Sequence, residues 1–552
     1  HEAAALEGKA AEAKLAEARA EVKKFHHQLC TTRVLDPACG SANFLYVTLE
    51  HLKRLEGEVV NQLVALGHTQ DQLGFEGETV ILQQLRGIEL NERAAALAEL
   101  VLWIGYLQWH IRTHGNAAVA EPVVHNYGNI ECRDAVLAWD AQEVAYDDAG
   151  QLLSRWDGRT FKTHPVTGEQ VPDESAQVPQ WRYVGARQAQ WPQADFIVGN
   201  PPFIGSKRMR AVLGDGYVDA LQECWSDVPE SADFVMRWWH KAALAVREGQ
   251  VRRFGFITSN SLRQTYVRRA VEPHLFGDDR ISIVFAVPDH PWVDSSDGAA
   301  VRIAMTVGQK GEHLGVLREV TAIRDVADEG QDLVLSTADR FGLITADLRL
   351  GANLSAVSPL KAAIGLCSVG MKTIGEAFQI DETTAHNLGL GSVPHLDQHI
   401  RPYLNGRDFV TQPRGKWIID FFGLEAGDVR SRFPKAYQHL LDRAKPERDQ
   451  NRNAVFRRLW WVIGHPRQQF RHATAEVDRY IVTVETAKHR VFSFLPKSIV
   501  PDSTLVTFAL DDSLYLGVLS SEVHVAWALA TGGRLGVGND PRYNKSRCFE
   551  TF

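Results

Sequence analysis

The residues of this 552-residue chain best placed to do chemistry are Asn200-Pro201-Pro202-Phe203, which follow the apolar run Phe196-Ile-Val-Gly199. An exocyclic amino nitrogen on an aromatic base is a weak nucleophile, because its lone pair is delocalised into the ring, and it needs activation. The Asn200 side-chain oxygen and the Pro201 carbonyl can accept its two hydrogens. Pro201 and Pro202 hold those acceptors by locking φ, and Phe203 offers a face on which an extruded base can stack. Positioning and electrostatics then carry the reaction, with no metal required. A stiff turn closing a strand would use the same residues without chemistry, but Asn-Pro-Pro arises by chance in only about one in twenty chains this long.

Upstream, Val34-Leu-Asp36-Pro37-Ala38-Cys39-Gly40-Ser-Ala-Asn43-Phe44 is a strand ending in an acid, then a small-residue turn that opens a helix. Such a turn lets a ligand approach the backbone at the carboxyl edge of a sheet. Neither phosphate-loop nor dinucleotide glycine spacing is present. Glu89-Leu90 closes the next strand, where a carboxylate can accept both hydroxyls of a ribose, and Asp134-Ala135 closes a third, where Asp134 can accept from an adenine amine. Three acids at successive strand ends favour a cationic, hydroxyl-rich nucleoside over a polyphosphate. S-adenosylmethionine has that chemistry.

These positions require a parallel sheet. Strands are expected at 33–36, 86–90, 129–132, 195–200, 254–259, 281–287 and 301–307, and helices at 43–66, 92–114 and 233–247, with Gly115 as the C′ residue of the second. The last two strands, joined by the Pro- and Asp-rich stretch 288–298, read as an antiparallel edge. The expected architecture is α/β: a seven-stranded, mostly parallel Rossmann-like sheet with helices on both faces, over residues 31–340, after an N-terminal helix over 1–30. Residues 141–192 read as an inserted hairpin-bearing loop beside the sheet. From 345 to 552 the alternation stops and a mixed α+β domain is expected.

A net charge of −8 argues against a uniformly basic nucleic-acid coat. Between Arg430 and Arg471, however, eleven Lys or Arg face three acids. Arg457, Arg458, Trp460, Trp461, Arg467 and Arg471 lie in that stretch as candidates for phosphates and base edges, with Lys488 as a further contact, and Lys207 and Arg208 beside the tetrapeptide. Solvated cations with buried tryptophans are the plainer alternative. Six scattered cysteines without a C-x-x-C pair suggest neither disulfides nor zinc and fit a reducing cytoplasm. The apolar stretch Leu100 to Trp109 is about half a membrane span, and no signal peptide is evident. His1 and the closing Phe552 read as cut ends of a longer polypeptide.

In order, Asp36-Pro-Ala-Cys-Gly-Ser41, Gly87-Ile-Glu-Leu-Asn91 and Asn200-Pro-Pro-Phe203 resemble the N6-adenine DNA methyltransferases of the γ arrangement. More closely, Leu100–Trp109, Gly199–Met209 and Pro541–Phe552 resemble the MmeI-like single-chain type II (IIG/IIL) restriction-modification enzymes, from about Leu29 to the last residue. The resemblance implies that Asp36 to Phe44 wrap the methionine part of S-adenosylmethionine, Glu89 takes the ribose, Asp134 with Ala135 takes the adenine, and Asn200 to Phe203 hold a flipped adenine of duplex DNA. Asp233-Phe234 and Thr258–Ser261 match further family motifs lining the same cleft, and 345–552 corresponds to the target-recognition part.

Three departures stand out. Residue 42 is Ala where the family commonly has Gly, tolerable only at negative φ. The upstream Thr/Ser-bearing segment of the family has no match before Arg33. No nuclease fits in the chain, so methylation without cleavage is expected, with a nuclease domain or subunit outside it as the implied partner. Two alternatives remain open: N-methylation of protein glutamine or ribosomal RNA, and a DNA-recognition subunit with an incomplete cofactor site.

Overall fold

The structure, a computed structural model, describes residues 9–67, 78–114, 127–264, 266–292, 301–325, 333–351, 354, 357–451, 453–535 and 540–552. It divides into two compact units, residues 1–143 with 181–351 and residues 144–180 with 352–552.

The first unit is built on one sheet with strands β1 (Val34–Asp36), β2 (Leu85–Glu89), β3 (Ile130–Cys132), β4 (Phe196–Gly199), β5 (Arg253–Ser259), β6 (Ile281–Trp292), β7 (Val301–Lys310), β8 (Gly315–Asp325) and β9 (Leu333–Gly342). Their order is β9-β8-β6-β7-β5-β4-β1-β2-β3. The five strands β3 to β5 in this order pair in parallel, in register Val34↔Leu85 and Val34↔Phe196. β7 is antiparallel to both its neighbours. The carboxyl ends of β1, β2, β3 and β4 therefore share one edge.

Alternation sends side chains to two cores. Leu35, Ile88 and Ile197 pack into a cluster with Met209, Tyr217 and Trp239, while Val34, Leu85 and Ile130 pack into another with Leu45, Leu49 and Leu102. Helices α1 (Lys9–Thr31), α2 (Asn43–Ala65) and α3 (Glu92–His114) supply the second cluster. Helices α4 (Ser206–Leu213), α5 (Asp215–Cys224) and α6 (Met236–Arg247) supply the first. α3 starts where Asn91 Oδ1 accepts from the backbone N–H groups of Arg93 and Ala94. Gly115, expected to close it, lies outside the described residues. Twenty-one residues of α3, Glu92–Arg112, are long and apolar enough to cross a membrane by length and composition, more than the ten expected. In this fold Ala95, Ala98 and Leu102 pack one face of that helix into the core, while Leu97, Leu100 and Ile104 stay exposed.

The sheet has nine strands among the described residues, not the expected seven. All seven expected strands are present, and β8 and β9 extend the β6 edge, β8 parallel to β6 through Phe285↔Val316. These two were missed because they form a solvated, charged ladder without an apolar alternation. Arg318 Nε and Nη2 donate to the Asp339 carboxylate across it at 2.7 and 2.8 Å. β6 also runs on through Pro291 to Trp292 by way of a bulge after Val287, so the first residues of the expected connection 288–298 are strand.

In the second unit, β10 (Cys367–Val369), β11 (Gln379–Asp381), β12 (Ile400–Leu404), β13 (Lys416–Ile419), β14 (Arg479–Val484), β15 (Phe492–Pro496), β16 (Val500–Pro501) and β17 (Leu505–Phe508) form two four-stranded sheets. Their orders are β10-β17-β14-β15 and β11-β13-β12-β16. The inserted loop pairs 141–144 with 181–184 at its base and holds two further short antiparallel ladders, 154–156 with 177–179 and 161–163 with 170–172. Its residues 144–180 cluster with this unit, while 141–143 and 181–192 stay with the first unit. Its Gln170–Pro172 strand contacts the helix Lys445–Asp449, and Glu169 pairs with Arg443.

Candidate active site

The turn after β1 is held from three sides. Asp36 Oδ1 accepts from the Ala38 N–H at 3.0 Å, Glu89 Oε2 accepts from the Gly40 N–H at 2.9 Å, and the Cys39 N–H donates to the Ile88 carbonyl at 3.0 Å. Gly40 takes φ 54° to make the turn. Close approach across the strands also requires glycine at two neighbours. A Cβ on Gly87 would lie 2.7 Å from Cys39 Sγ, and one on Gly199 would lie 2.6 Å from Asp36 Oδ1.

Ala42 overturns the expectation that alanine needs a negative φ there. It sits at φ 67°, fully buried, as the residue before α2, with its N–H donating to the Cys39 carbonyl at 2.7 Å. The αL conformation costs a residue with a Cβ roughly 1–2 kcal/mol, offset in part by burial of the methyl among Leu45, Leu49 and Leu102.

At the shared strand edge lies a cavity of about 350 Å³. Of the expected cofactor residues, Pro37, Ala38, Glu89, Leu90, Asp134 and Ala135 line it. Asp36, Cys39, Gly40, Asn43 and Phe44 do not. Asp36 is almost fully buried, and burial first, with the nearby Glu89 charge adding, pushes its carboxyl up to about 7 against the lowering effect of the Ala38 N–H. Asp36 and Cys39 therefore shape the turn from behind. Asn43 and Phe44 begin α2, exposed and half-buried.

The two remaining acids are already working within the fold. Glu89 Oε1 accepts from the Asn91 N–H at 2.8 Å, in addition to Gly40 on its other oxygen. Asp134 Oδ1 accepts from the Val136 and Leu137 N–H groups at 2.7 and 2.9 Å, and Oδ2 accepts from the Tyr217 hydroxyl at 2.7 Å. A carboxylate has about four acceptor sites, so each acid keeps free acceptor capacity, Asp134 only one site on Oδ2. Burial, then the Asp134 charge, pushes the Tyr217 hydroxyl far up, which keeps it a donor.

Apart from Phe234, which the resemblance placed in the cleft, the sequence reading missed the aromatic wall of the cavity. Trp139, Tyr183, Tyr217, Phe234 and Trp238 contribute to it, meeting edge to face from Trp139 through Tyr217 to Trp238. Three indole N–H groups pin the loops around it. Trp238 donates to the Pro37 carbonyl at 2.9 Å, Trp191 to Ala135 at 2.7 Å, and Trp225 to Val136 at 3.2 Å.

Of the tetrapeptide, Pro202 lines the cavity, Pro201 is buried, and Phe203 is half-buried against the core. Asn200, at the end of β4, has its side-chain oxygen shut off from solvent and without a hydrogen-bond donor. An unpaired buried amide oxygen costs roughly 1–3 kcal/mol and is a waiting acceptor. The segment after it is tied down by Asp233, whose Oδ1 accepts from the Ser206 N–H at 3.2 Å. Asp233 Oδ2 accepts from the Ser259 and Ser261 hydroxyls at the end of β5, and the Phe234 N–H donates to the Ile204 carbonyl at 2.9 Å.

His26, Cys30 and Glu56 offer ligand atoms within 4.8 Å of one another, away from this edge. Glu56 there already receives the buried Lys53 ammonium at 2.9 Å, so a metal ion would meet an uncompensated positive charge.

The candidate DNA-contacting residues divide. Lys207 and Arg208 are exposed on α4, and Arg457, Arg458 and Lys488 are exposed in the second unit. Trp460 and Trp461 are a correction: both are buried in the core of that unit, Trp460 edge to face with Tyr437 and Trp461 donating its indole N–H to the Leu424 carbonyl at 3.0 Å. Their apolar surface stabilises the unit and is not presented to a ligand. Arg467 donates to the Gly370 carbonyl, and Arg471 to the Pro466 carbonyl and the Asp420 carboxylate. Arg448, in the same basic run, is a core residue spanning the Thr373, Ile374 and Val462 carbonyls.

The raised carboxyl of Asp36 gives a stability prediction. Its folded pKa of about 7 lies above the ordinary 3.8, so its contribution is fully present below about pH 4 and is lost as pH rises through 7. Relative to Asp36→Asn, the unliganded wild type should lose stability between pH 4 and 8, by on the order of a few kcal/mol. Urea denaturation of both proteins across that range checks it, and a constant difference would contradict the burial argument.

The sequence model of the family described as "MmeI, DNA-methyltransferase domain" matches residues 11–317. A curated relative, DNA methyltransferase A of Bacillus subtilis (strain 168), is 22% identical over 535 residues, which are 94% of this chain and 52% of the relative. The chain thus spans about half the length of that relative. Among solved structures, the type IIL restriction-modification enzyme MmeI in complex with DNA aligns with a TM-score of 0.64 at 20% identity, over 97% of this chain and 64% of that one. The family match covers the turn after β1, the tetrapeptide and strands β1 to β7, and on that ground the chain belongs to the MmeI DNA-methyltransferase family.

Proposed function

We propose that this chain transfers a methyl group from S-adenosylmethionine to the N6 amine of an adenine flipped out of duplex DNA, as the modification part of a restriction-modification system. The observation that carries the reading is the buried, unpartnered Asn200 oxygen at the end of β4, two residues before Pro202, which lines the cavity. A site evolved only as a turn would have no reason to bear that cost. Cavity size, an aromatic and aliphatic lining, and two carboxylates with spare acceptor capacity support the cofactor. Pro37, Ala38, Glu89, Leu90, Asp134 and Ala135 would hold it, and when bound it supplies an electrophilic methyl on a sulfonium.

The chain's own residues do the rest. Asn200 and the Pro201 carbonyl accept the two amine hydrogens, drawing the lone pair out of conjugation with the ring. Phe203 stacks on the base, and Asp233 keeps the loop in place. DNA is the proposed partner, and the cytoplasm the proposed compartment, in keeping with six free cysteines. A nuclease domain or subunit outside this chain completes the proposed system.

Incubation with labelled S-adenosylmethionine and mixed-sequence DNA, followed by single-molecule mapping of modified adenines, tests the proposal. The absence of label in DNA, or label on a base other than adenine, refutes it. The exposed pair Arg457 and Arg458 should contribute counterion-linked affinity. Changing both to Ala should weaken DNA binding by roughly tenfold or more at 0.1 M salt and reduce the slope of log affinity against log salt by about two. An unchanged slope moves the DNA face elsewhere.

A further inference from the structure

In the second unit a cavity of about 180 Å³ is lined by Arg401, Arg471 and Lys497, with apolar walls from Met371, Phe470 and Val500. None of the described residues lining it is acidic. The guanidinium groups of Arg401 and Arg471 share a single buried carboxylate behind the wall, Asp420, which Arg401 approaches at 3.5 Å while Arg471 donates to it directly. One negative charge thus serves two positive ones, and Lys497, which donates to the Ala475 carbonyl, adds a third. Arg401 Nε is shut off from solvent and has no acceptor. Burial lowers the pKa of the Arg401 guanidinium and Arg471 lowers it further, against the opposing pull of Asp420.

Buried cations are ordinarily paired, because a desolvated charge without a counter-ion is costly. Arg401 and Arg471, each about three-quarters buried, share one counter-charge and are short by one, and the exposed Lys497 adds a further positive charge at a concavity large enough for a tetrahedral oxyanion. We infer that this cavity is a phosphate site, with Arg401 and Lys497 as its unassigned ligands and Arg471 shared with Asp420. Because guanidinium groups donate to phosphate oxygens in a planar fork, the cavity seats one phosphate group of a nucleic-acid backbone, and in this it rests on the DNA reading above. The alternative source of the same chemistry is a free phosphate or phosphorylated solute.

Two measurements on the full chain separate the cases. The first is thermal unfolding with millimolar inorganic phosphate against chloride at equal ionic strength. The wild type should gain Tm with phosphate, and Lys497→Gln should not. Lys497 is exposed, so that variant keeps its fold even if Arg401→Gln, which would leave Asp420 with one partner, does not. The second is DNA binding across a salt series, where Lys497→Gln should lower affinity roughly tenfold at 0.1 M salt and reduce the log–log slope by about one.

A Tm gain that Lys497→Gln leaves intact overturns the site. A Lys497-dependent gain with an unchanged DNA slope keeps the phosphate site but assigns it to a free solute. If the wild type binds no DNA at any salt concentration, the DNA reading fails, and the phosphate measurement alone still decides the cavity.

Discussion

Asn200→Ala should lower the rate of methyl transfer to DNA by at least about a thousandfold, while the affinity for S-adenosylmethionine, measured by calorimetry, stays within about threefold of wild type. The change removes an acceptor that no group in the fold uses, so folding loses nothing by it and gains relief from an unpaired dipole. The loss falls on the step that needs the amine lone pair freed from its ring. Asn200→Asp is the companion experiment. It keeps an oxygen in place but buries a charge, and it should retain a trace of activity that falls as its carboxyl ionises. Transfer at wild-type rate by Asn200→Ala would remove the foundation of the functional reading.

Glu89→Ala should act on binding instead. Its two oxygens brace Gly40 and Asn91, and their remaining lone pairs are the ones proposed to receive the ribose hydroxyls. Hydrogen bonds to an ionised acceptor are worth about 1.5–3 kcal/mol each. Loss of a ribose pair together with the Gly40 brace should therefore raise KM for the cofactor by roughly a hundredfold or more, with kcat at saturation changed by less than about fivefold. Glu89→Gln should fall between, since an amide offers one oxygen and turns a donor toward the other N–H. An unaltered KM in Glu89→Ala would place the nucleoside elsewhere.

What could be read ahead of the structure was local and consecutive. A strand ending in an acid, followed by a small-residue turn, is written in adjacent residues, and β1, β2, β3 and β4 carry their signals in that form. Where packing decided the outcome, the reading fell short. Trp191, Trp225 and Trp238 donate to carbonyls 56, 89 and 201 residues away, and nothing near them in sequence marks that role. β8 and β9 lie at a solvated edge, so hydrophobic periodicity could not reveal them. Trp460 and Trp461 stand among cations in sequence but are buried in space, because a short helix turn carries Arg457 and Arg458 outward just before the chain dips into the core. The expected role of Asp134 also needs narrowing, since three of its acceptor positions are taken by its own turn and by Tyr217.

The clustering of residues 144–180 with residues 352–552 bears on how the second unit could be exchanged. Exchange of the second unit between members of this family is naturally imagined as a swap of everything after the nine-stranded sheet. A chimera spliced only at residue 351 would keep a hairpin adapted to the segment that was removed, with Glu169 facing whatever replaces Arg443. Modularity here is discontinuous, and a graft that respects it must carry two stretches of chain together.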